Sequence, residues 1–305
     1  MVVAAKLQTA KRAIPAYQGW APLIVFPAAV LILTPGTWPR WAFMWLLAFV
    51  IFAGCKWLTW RRTPAPDAKW WQHAGYLLAW PGLDAKAFLS AQRLPKDARP
   101  SAREWLSAFI KIIIGVFTLW IIAPRVSVDQ VILRGWLGMI GLIFILHLGS
   151  LHLLSCVWRS VGIDARPLMK SPLLSTSVSE FWGRRWNTAF RDLTHRFLFK
   201  PLSSSIGPKW AIIAGFIFSG LVHDLVISVP ARGGYGGPTI FFVAQSLAIF
   251  IERSSFGRTI GLMRGWRGWL FTMAALILPA YGLFHPPFIR NIIIPFLQAL
   301  GALKN

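Results

Sequence analysis

The sequence predicts an all-α polytopic integral membrane protein of about eight transmembrane helices, and three observations carry that prediction. Of its 305 residues, 56% are hydrophobic and only 14% charged. The mean hydropathy is +0.56, well above that of a soluble domain. The apolar residues fall in long continuous runs, not in the alternating stretches of about ten residues that barrel strands need. Backbone polar groups have no water to bond in hydrocarbon, so such runs must become helices.

A hydrocarbon core of about 30 Å takes about 20 apolar residues per helix. The runs that qualify are Trp20–Pro35, Trp38–Leu58, Trp105–Ala123, Val131–Trp158, Trp210–Val229, Thr239–Ile251, Trp269–Phe284 and Phe288–Leu300. The first, sixth and last are short enough to be tilted or re-entrant, so the expected count is seven to nine. One domain over 1–305 is expected. No secretory signal peptide is predicted, because the first apolar run begins only at Trp20 and lacks a small-residue cleavage site.

Charge predicts the orientation. The chain carries 32 Lys+Arg against 10 Asp+Glu, a formal net charge of +22. That balance suits nucleic acid or an anionic membrane surface. The apolar runs favour the membrane, and no nucleic-acid partner is expected. Alternate connections collect 26 of the 32 cations. They are the lead-in 1–19 (Lys6, Lys11, Arg12), the segments 56–104 and 159–209, the connection 252–268 and Lys304. The positive-inside rule makes this face cytoplasmic, with both termini on it. Lys111, inside the third run, can snorkel toward the same face. The 18 tryptophans suit a bilayer interface. Cys55 and Cys156 are too few for a disulfide framework or a zinc site.

The Pro-rich segment 56–104 reads as several short pieces lying on lipid headgroups, with a basic mouth for a phosphorylated substrate as the alternative. Segment 159–209 predicts an amphipathic interfacial helix over 181–199. Trp182, Trp186, Phe190, Leu193 and Phe197 share one face, and Arg184, Asn187, Arg191 and His195 the other. Ser179 and Glu180 are expected to cap its start and Pro201 to end it.

Ionisable groups at membrane depth are expensive and mark function or a partner. The runs hold Lys111, His147, His152, His223 and Asp224. His147 and His152 are expected to make helix–helix hydrogen bonds. His223 lies thirteen residues past Trp210, about 20 Å at 1.5 Å per residue. A neutral imidazole there suits a general base, and the small neighbours Ser219 and Gly220 leave room beside it. Asp224 points about 100° away from His223 on a helix and can pair with an Arg instead. The glycine-rich stretch 230–238 lacks the strand and the Lys-Ser/Thr of a phosphate loop, and reads as an external turn.

Phe-Trp-Gly-Arg-Arg-Trp-Asn at 181–187, followed by Ser-Gly-x-x-His-Asp at 219–224, resembles the membrane-bound O-acyltransferase superfamily, in its plant-type wax synthase branch. The likeness is detailed over the second half of the chain and extends to the first half only by span pattern. It implies that Asn187 and His223 are the catalytic pair, and Asp224 matches the acid that follows the His. It implies acyl transfer from acyl-CoA to the hydroxyl of a lipophilic alcohol inside a membrane tunnel, as in wax-ester synthesis. Arg184, Arg185, Trp186, Arg191 and Asp224 are then expected to bind substrate. No cofactor beyond acyl-CoA as co-substrate and no metal is expected. The membrane would be the inner membrane of a bacterium or the endoplasmic reticulum of a eukaryote. Alternatives keep the chemistry with another lipid or terpenoid hydroxyl or with acetyl-CoA, or replace it by small-molecule transport. Against transport, the sequence shows no paired halves.

Overall fold

The computed structural model describes residues 19–92 and 94–304, so the lead-in with Lys6, Lys11 and Arg12 lies outside the described residues. Among the described residues the chain is helix and turn, without strand. A helix stands at each of the eight apolar runs: α1 (Ala21–Leu33), α2 (Arg40–Arg61), α3 (Lys96–Arg125), α4 (Val131–Ser160), α5 (Pro208–Ala231), α6 (Gly237–Arg253), α7 (Gly265–Leu283) and α8 (Pro286–Ala299). By length and composition, α2 to α5 are each able to cross a membrane. The pair α7 and α8 bends by 63° and makes a fifth crossing if the two count as one. Pro279, Pro286 and Pro287 flank that bend, where their missing N–H groups break the ladder. Helices α1 and α6, at 13 and 17 residues, are shorter.

The outside of this bundle is apolar. Ile32 is 79% exposed, Phe49 66%, Ile113 65% and Leu278 79%. In water such a surface would drive association; on an integral membrane protein it faces lipid. With so little hydrophobic drive between helices in lipid, small residues bring backbones together. A Cβ on Gly115 of α3 would stand 2.7 Å from the Gly141 carbonyl oxygen of α4, and one on Gly220 of α5 would stand 2.6 Å from the Thr239 Cα of α6. Gly220 therefore seats α6. This corrects the expectation that it leaves room beside His223.

Among the described residues, two large buried clusters and a small third one of Val178, Ala248 and Ile249 organise the interior. Met44, Leu119, Met139, Ile227, Phe241, Leu283, Phe288, Ile289 and Leu297 join α2 through α8. Tyr76, Trp80, Phe88, Ile163 and Ala189 belong to the second large one, which binds the short pieces of segment 56–104 to α4 and to the 188–194 helix. That segment, expected to rest on headgroups, buries Tyr76, Trp80 and Phe88 in the core and leaves Trp70 and Trp71 exposed. Lys56, expected among the surface cations, is buried too. Its Nζ donates to the Gly82 carbonyl at 2.7 Å and lies 3.2 Å over the Tyr76 ring.

The interfacial helix expected over 181–199 is broken. Ser177, not Ser179, caps its start, its hydroxyl accepting from the Glu180 N–H at 3.0 Å. A π-turn follows over Phe181–Arg185. Trp186 is extended, and Asn187 takes the left-handed conformation at φ 42°, ψ 60°. Asn tolerates that region better than most residues, and from it caps the next helix, Thr188–Thr194. A π-turn over His195–Phe199 leads into Lys200–Ile206. Pro201 falls just after this π-turn, which lets the backbone stay helical past it, and the helix stops only at Gly207, φ 80°. Arg184 and Asn187 thus no longer share a stripe with Arg191 and His195.

Candidate active site

The start of the motif segment is stapled to α6. The buried Glu252 carboxylate accepts from the Val178 N–H at 2.7 Å and the Ser179 N–H at 2.9 Å, satisfying the free donors of a helix start. The Trp182 indole N–H donates to Gln245 of α6 at 3.3 Å, and the Gln245 amide in turn donates to the Ala275 carbonyl of α7 at 2.9 Å. Sequence periodicity marked neither Gln245 nor Glu252. A Gln inside the apolar run Thr239–Ile251 and a Glu directly at its end were the signal that could have found them.

From Trp182 a continuous wall of rings runs in both directions. On one side Trp182 meets Phe242 of α6 at 5.5 Å between centroids, and Phe242 meets the His223 imidazole at 4.5 Å. On the other, Phe181 meets Trp182 at 5.0 Å and stacks on Trp186 at 5.5 Å, and Trp186 stacks on His147 at 6.1 Å. Asn187 follows Trp186 directly. The two residues expected to act together, Asn187 and His223, are therefore linked by shared aromatic walls. No hydrogen bond joins them among the described residues.

His223 is half-buried, and its Nδ1 lies 2.7 Å from the Ser219 carbonyl one turn earlier. A carbonyl only accepts, so Nδ1 carries the proton and Nε2 is left as the acceptor. Asn187 is similarly poled. Its Oδ1 accepts from the Phe190 N–H at 3.5 Å, which leaves the amide N–H groups as donors. The Asn187 backbone N–H meets Met169 Sδ at 3.1 Å.

Asp224 pairs with no Arg among the described residues. Oδ1 accepts from the Ser228 hydroxyl and the Gly236 N–H, each at 2.8 Å, and Oδ2 accepts from the Thr239 N–H at 3.1 Å. The carboxylate so ties the 230–238 turn and the first turn of α6 to α5, beside the free N–H groups of that helix start. His285, missed in the sequence, completes the group. Its Nδ1 accepts from the Phe288 N–H at 3.1 Å, so its Nε2 carries the proton and donates to Ser228 at 3.2 Å.

The three motif arginines separate. Arg184 is exposed and makes no hydrogen bond or ion pair among the described residues. Arg185 binds Glu180 at 2.7 Å and the carbonyls of Lys170 and Ser171. Arg191 donates to the Gly183 carbonyl at 2.7 Å and pairs with Asp192 at 2.6 Å. Burial alone would raise the Glu180 carboxyl, but the Thr176 N–H and the Arg185 guanidinium outweigh it and hold that carboxyl below its ordinary range. Of the other span histidines, His152 makes the expected interhelical contact, to Lys111 at 3.2 Å, while His147 makes none among the described residues. A surface cleft of about 780 Å³ is lined by Asp129, Trp136, Arg290 and neighbours, and a second of about 260 Å³ by Arg258, Arg264 and Arg267 with theirs. Neither contains Asn187 or His223.

Comparison with known proteins bears out the resemblance. Residues 165–244 match the sequence profile of the Membrane bound O-acyl transferase family, a stretch that holds both Asn187 and His223. The chain is 28% identical over 145 residues to Probable long-chain-alcohol O-fatty-acyltransferase 7 of Arabidopsis thaliana, covering 43% of this chain and 42% of that one. It is 28% identical over 136 residues to the Long-chain-alcohol O-fatty-acyltransferase of Simmondsia chinensis, covering 37% and 39%. Acyl-CoA--sterol O-acyltransferase 1 of Arabidopsis thaliana is 26% identical over 159 residues, covering 46% and 44%. The chain thus spans about two fifths of the length of these relatives.

Proposed function

We propose that this protein transfers an acyl group from acyl-CoA to the hydroxyl of a lipophilic alcohol, with His223 as general base and Asn187 as the donor to the reacting carbonyl. The observation that carries the reading is the poling of these two side chains. His223 presents an unprotonated Nε2, and Asn187 presents amide N–H groups, from opposite stretches of one aromatic wall. An alcohol is a weak nucleophile until a base takes its proton during attack. His223 Nε2 takes that proton as the alcohol oxygen bonds to the thioester carbon. The negative oxygen that develops is held by the Asn187 amide. The intermediate collapses with cleavage of the C–S bond, and the proton on His223 passes to the departing thiolate. The products are an ester and free CoA, and no acyl-enzyme is required if both substrates are bound together. The apolar surroundings keep water from the thioester. Arg184 is the exposed cation beside this site that suits the CoA phosphates. Asp224 acts by fixing α5 against α6 rather than by touching substrate.

Fatty alcohols are the preferred acceptors, supported by the names of the relatives. A sterol hydroxyl is the second reading, supported by the similarity to the sterol acyltransferase. Expression in a host without neutral-lipid synthesis, fed long-chain alcohols or sterols, tests both. Wax esters by mass spectrometry support the first reading and steryl esters the second. Neither product, from protein shown to be in the membrane, sinks the proposal.

A further inference from the structure

His147 occupies a place that the reaction as drawn does not explain. Its Nδ1 is closed off from solvent and has no hydrogen-bond partner among the described residues. Buried polar atoms are nearly always partnered, so an orphan points to a group that comes from outside the chain. The helix around it is wound as a π-turn over Ile143–Ser150, a distortion that collects at functional positions. The imidazole lies on Trp186, with 6.1 Å between centroids and 14° between planes. Trp186 stands between Arg184 and Asn187 in the chain, between the exposed cation and the amide assigned to the thioester.

The surroundings define the chemistry of the missing partner. The charged groups between α3 and α4 are engaged with one another, Lys111 with His152 and Arg159 with Glu104 at 2.8 Å. None of them pairs with His147. A phosphate or carboxylate would lack a counter-charge there, whereas a neutral amide or hydroxyl fits an imidazole in either tautomer. The part of an acyl-CoA that lies between its phosphates and its thioester is neutral and carries two amides and a hydroxyl, the pantetheine arm. We propose that His147 is a binding residue for that arm, hydrogen-bonding it through Nδ1 as it passes along Trp186. The inference rests on the acyl-CoA reading above, but it is a statement about binding and not about turnover.

The test uses the full chain in detergent and three probes: S-hexadecyl-CoA, a thioether that cannot react; adenosine 3′,5′-bisphosphate, which has phosphates but no pantetheine; and hexadecanol. His147→Phe keeps a ring on Trp186 and removes the nitrogen, and His147→Gln restores a neutral polar group. The expected result is about tenfold weaker binding of S-hexadecyl-CoA by His147→Phe, the effect of one hydrogen bond to a neutral group, with partial recovery in His147→Gln. Binding of the bisphosphate and of hexadecanol should stay unchanged. Equal S-hexadecyl-CoA affinity in all three proteins overturns the proposal. Loss of all probes together assigns His147 a packing role and overturns it as well. Weaker hexadecanol binding alone moves His147 to the acceptor and overturns it too. If the wild type binds S-hexadecyl-CoA in this His147-dependent way yet forms no ester with any alcohol, the acyl-transfer reading fails and this one stands.

Discussion

Asn187 combines two demands at one position, a left-handed backbone and a poled amide. Replacement by Ala confounds them, since the left-handed conformation costs a non-Gly residue about 1–2 kcal/mol and a lost cap costs about 1 kcal/mol. Asn187→Gly separates them. It should unfold near the wild-type temperature yet lose turnover by roughly 10²-fold, measured by thermal unfolding and ester formation on the same preparation. The arginines separate in the same way. Arg184→Ala should raise KM for acyl-CoA and flatten its dependence on salt, because exposed charge pairs are screened. Arg185→Ala should act on stability instead, since Arg185 is committed to Glu180 and two carbonyls. The Glu180 carboxyl has a depressed folded-state pKa. Its contribution is therefore present above the ordinary carboxylate pKa and lost as pH falls through the depressed value. The difference in unfolding temperature between wild type and Arg185→Ala should narrow in that acidic window. At this scale the sequence made Asn187 and His223 legible, because a motif carries them. It hid the contact of Phe242 with His223 and those of Gln245 and His147 with Trp182 and Trp186, because they arise only when α4 and α6 pack against the motif.

Elements were legible where apolar length alone decides them, and each of the eight runs is helical. What periodicity missed are the interruptions. A 3.6-residue pattern continues smoothly through Trp186 and Asn187, so it could not register one left-handed residue that ends a helix and starts another. It also read Pro201 as a stop, where a preceding π-turn lets the helix continue to Ile206. Gly220 was read as free space and is instead the contact between α5 and α6. Gly220→Val should force these helices apart at the level of His223. Overpacking of this kind costs about 1–3 kcal/mol, and it should appear as a lower unfolding temperature in detergent together with reduced turnover.

For the whole molecule, the asymmetry of the cations predicts one cytoplasmic face holding the motif segment and the 254–264 connection, with the 230–238 turn opposite. Cysteines introduced at Ser205 and Tyr235, both exposed, test this against native Cys55 and Cys156, which are buried. A membrane-impermeant thiol reagent added from the cytoplasmic side should label the first and not the second; the reverse pattern would invert the orientation.

The central claim is that His223 is the base that activates an alcohol. Its most direct measurement is ester formation by the full chain in lipid vesicles, from labelled palmitoyl-CoA and hexadecanol, with wild type and His223→Ala compared and S-hexadecyl-CoA binding measured alongside. The account predicts a hexadecyl ester from the wild type and a loss of 10²–10⁴-fold in His223→Ala, as removal of a general base gives, with binding of the unreactive thioether retained. A folded His223→Ala protein that forms the ester at the wild-type rate would contradict it.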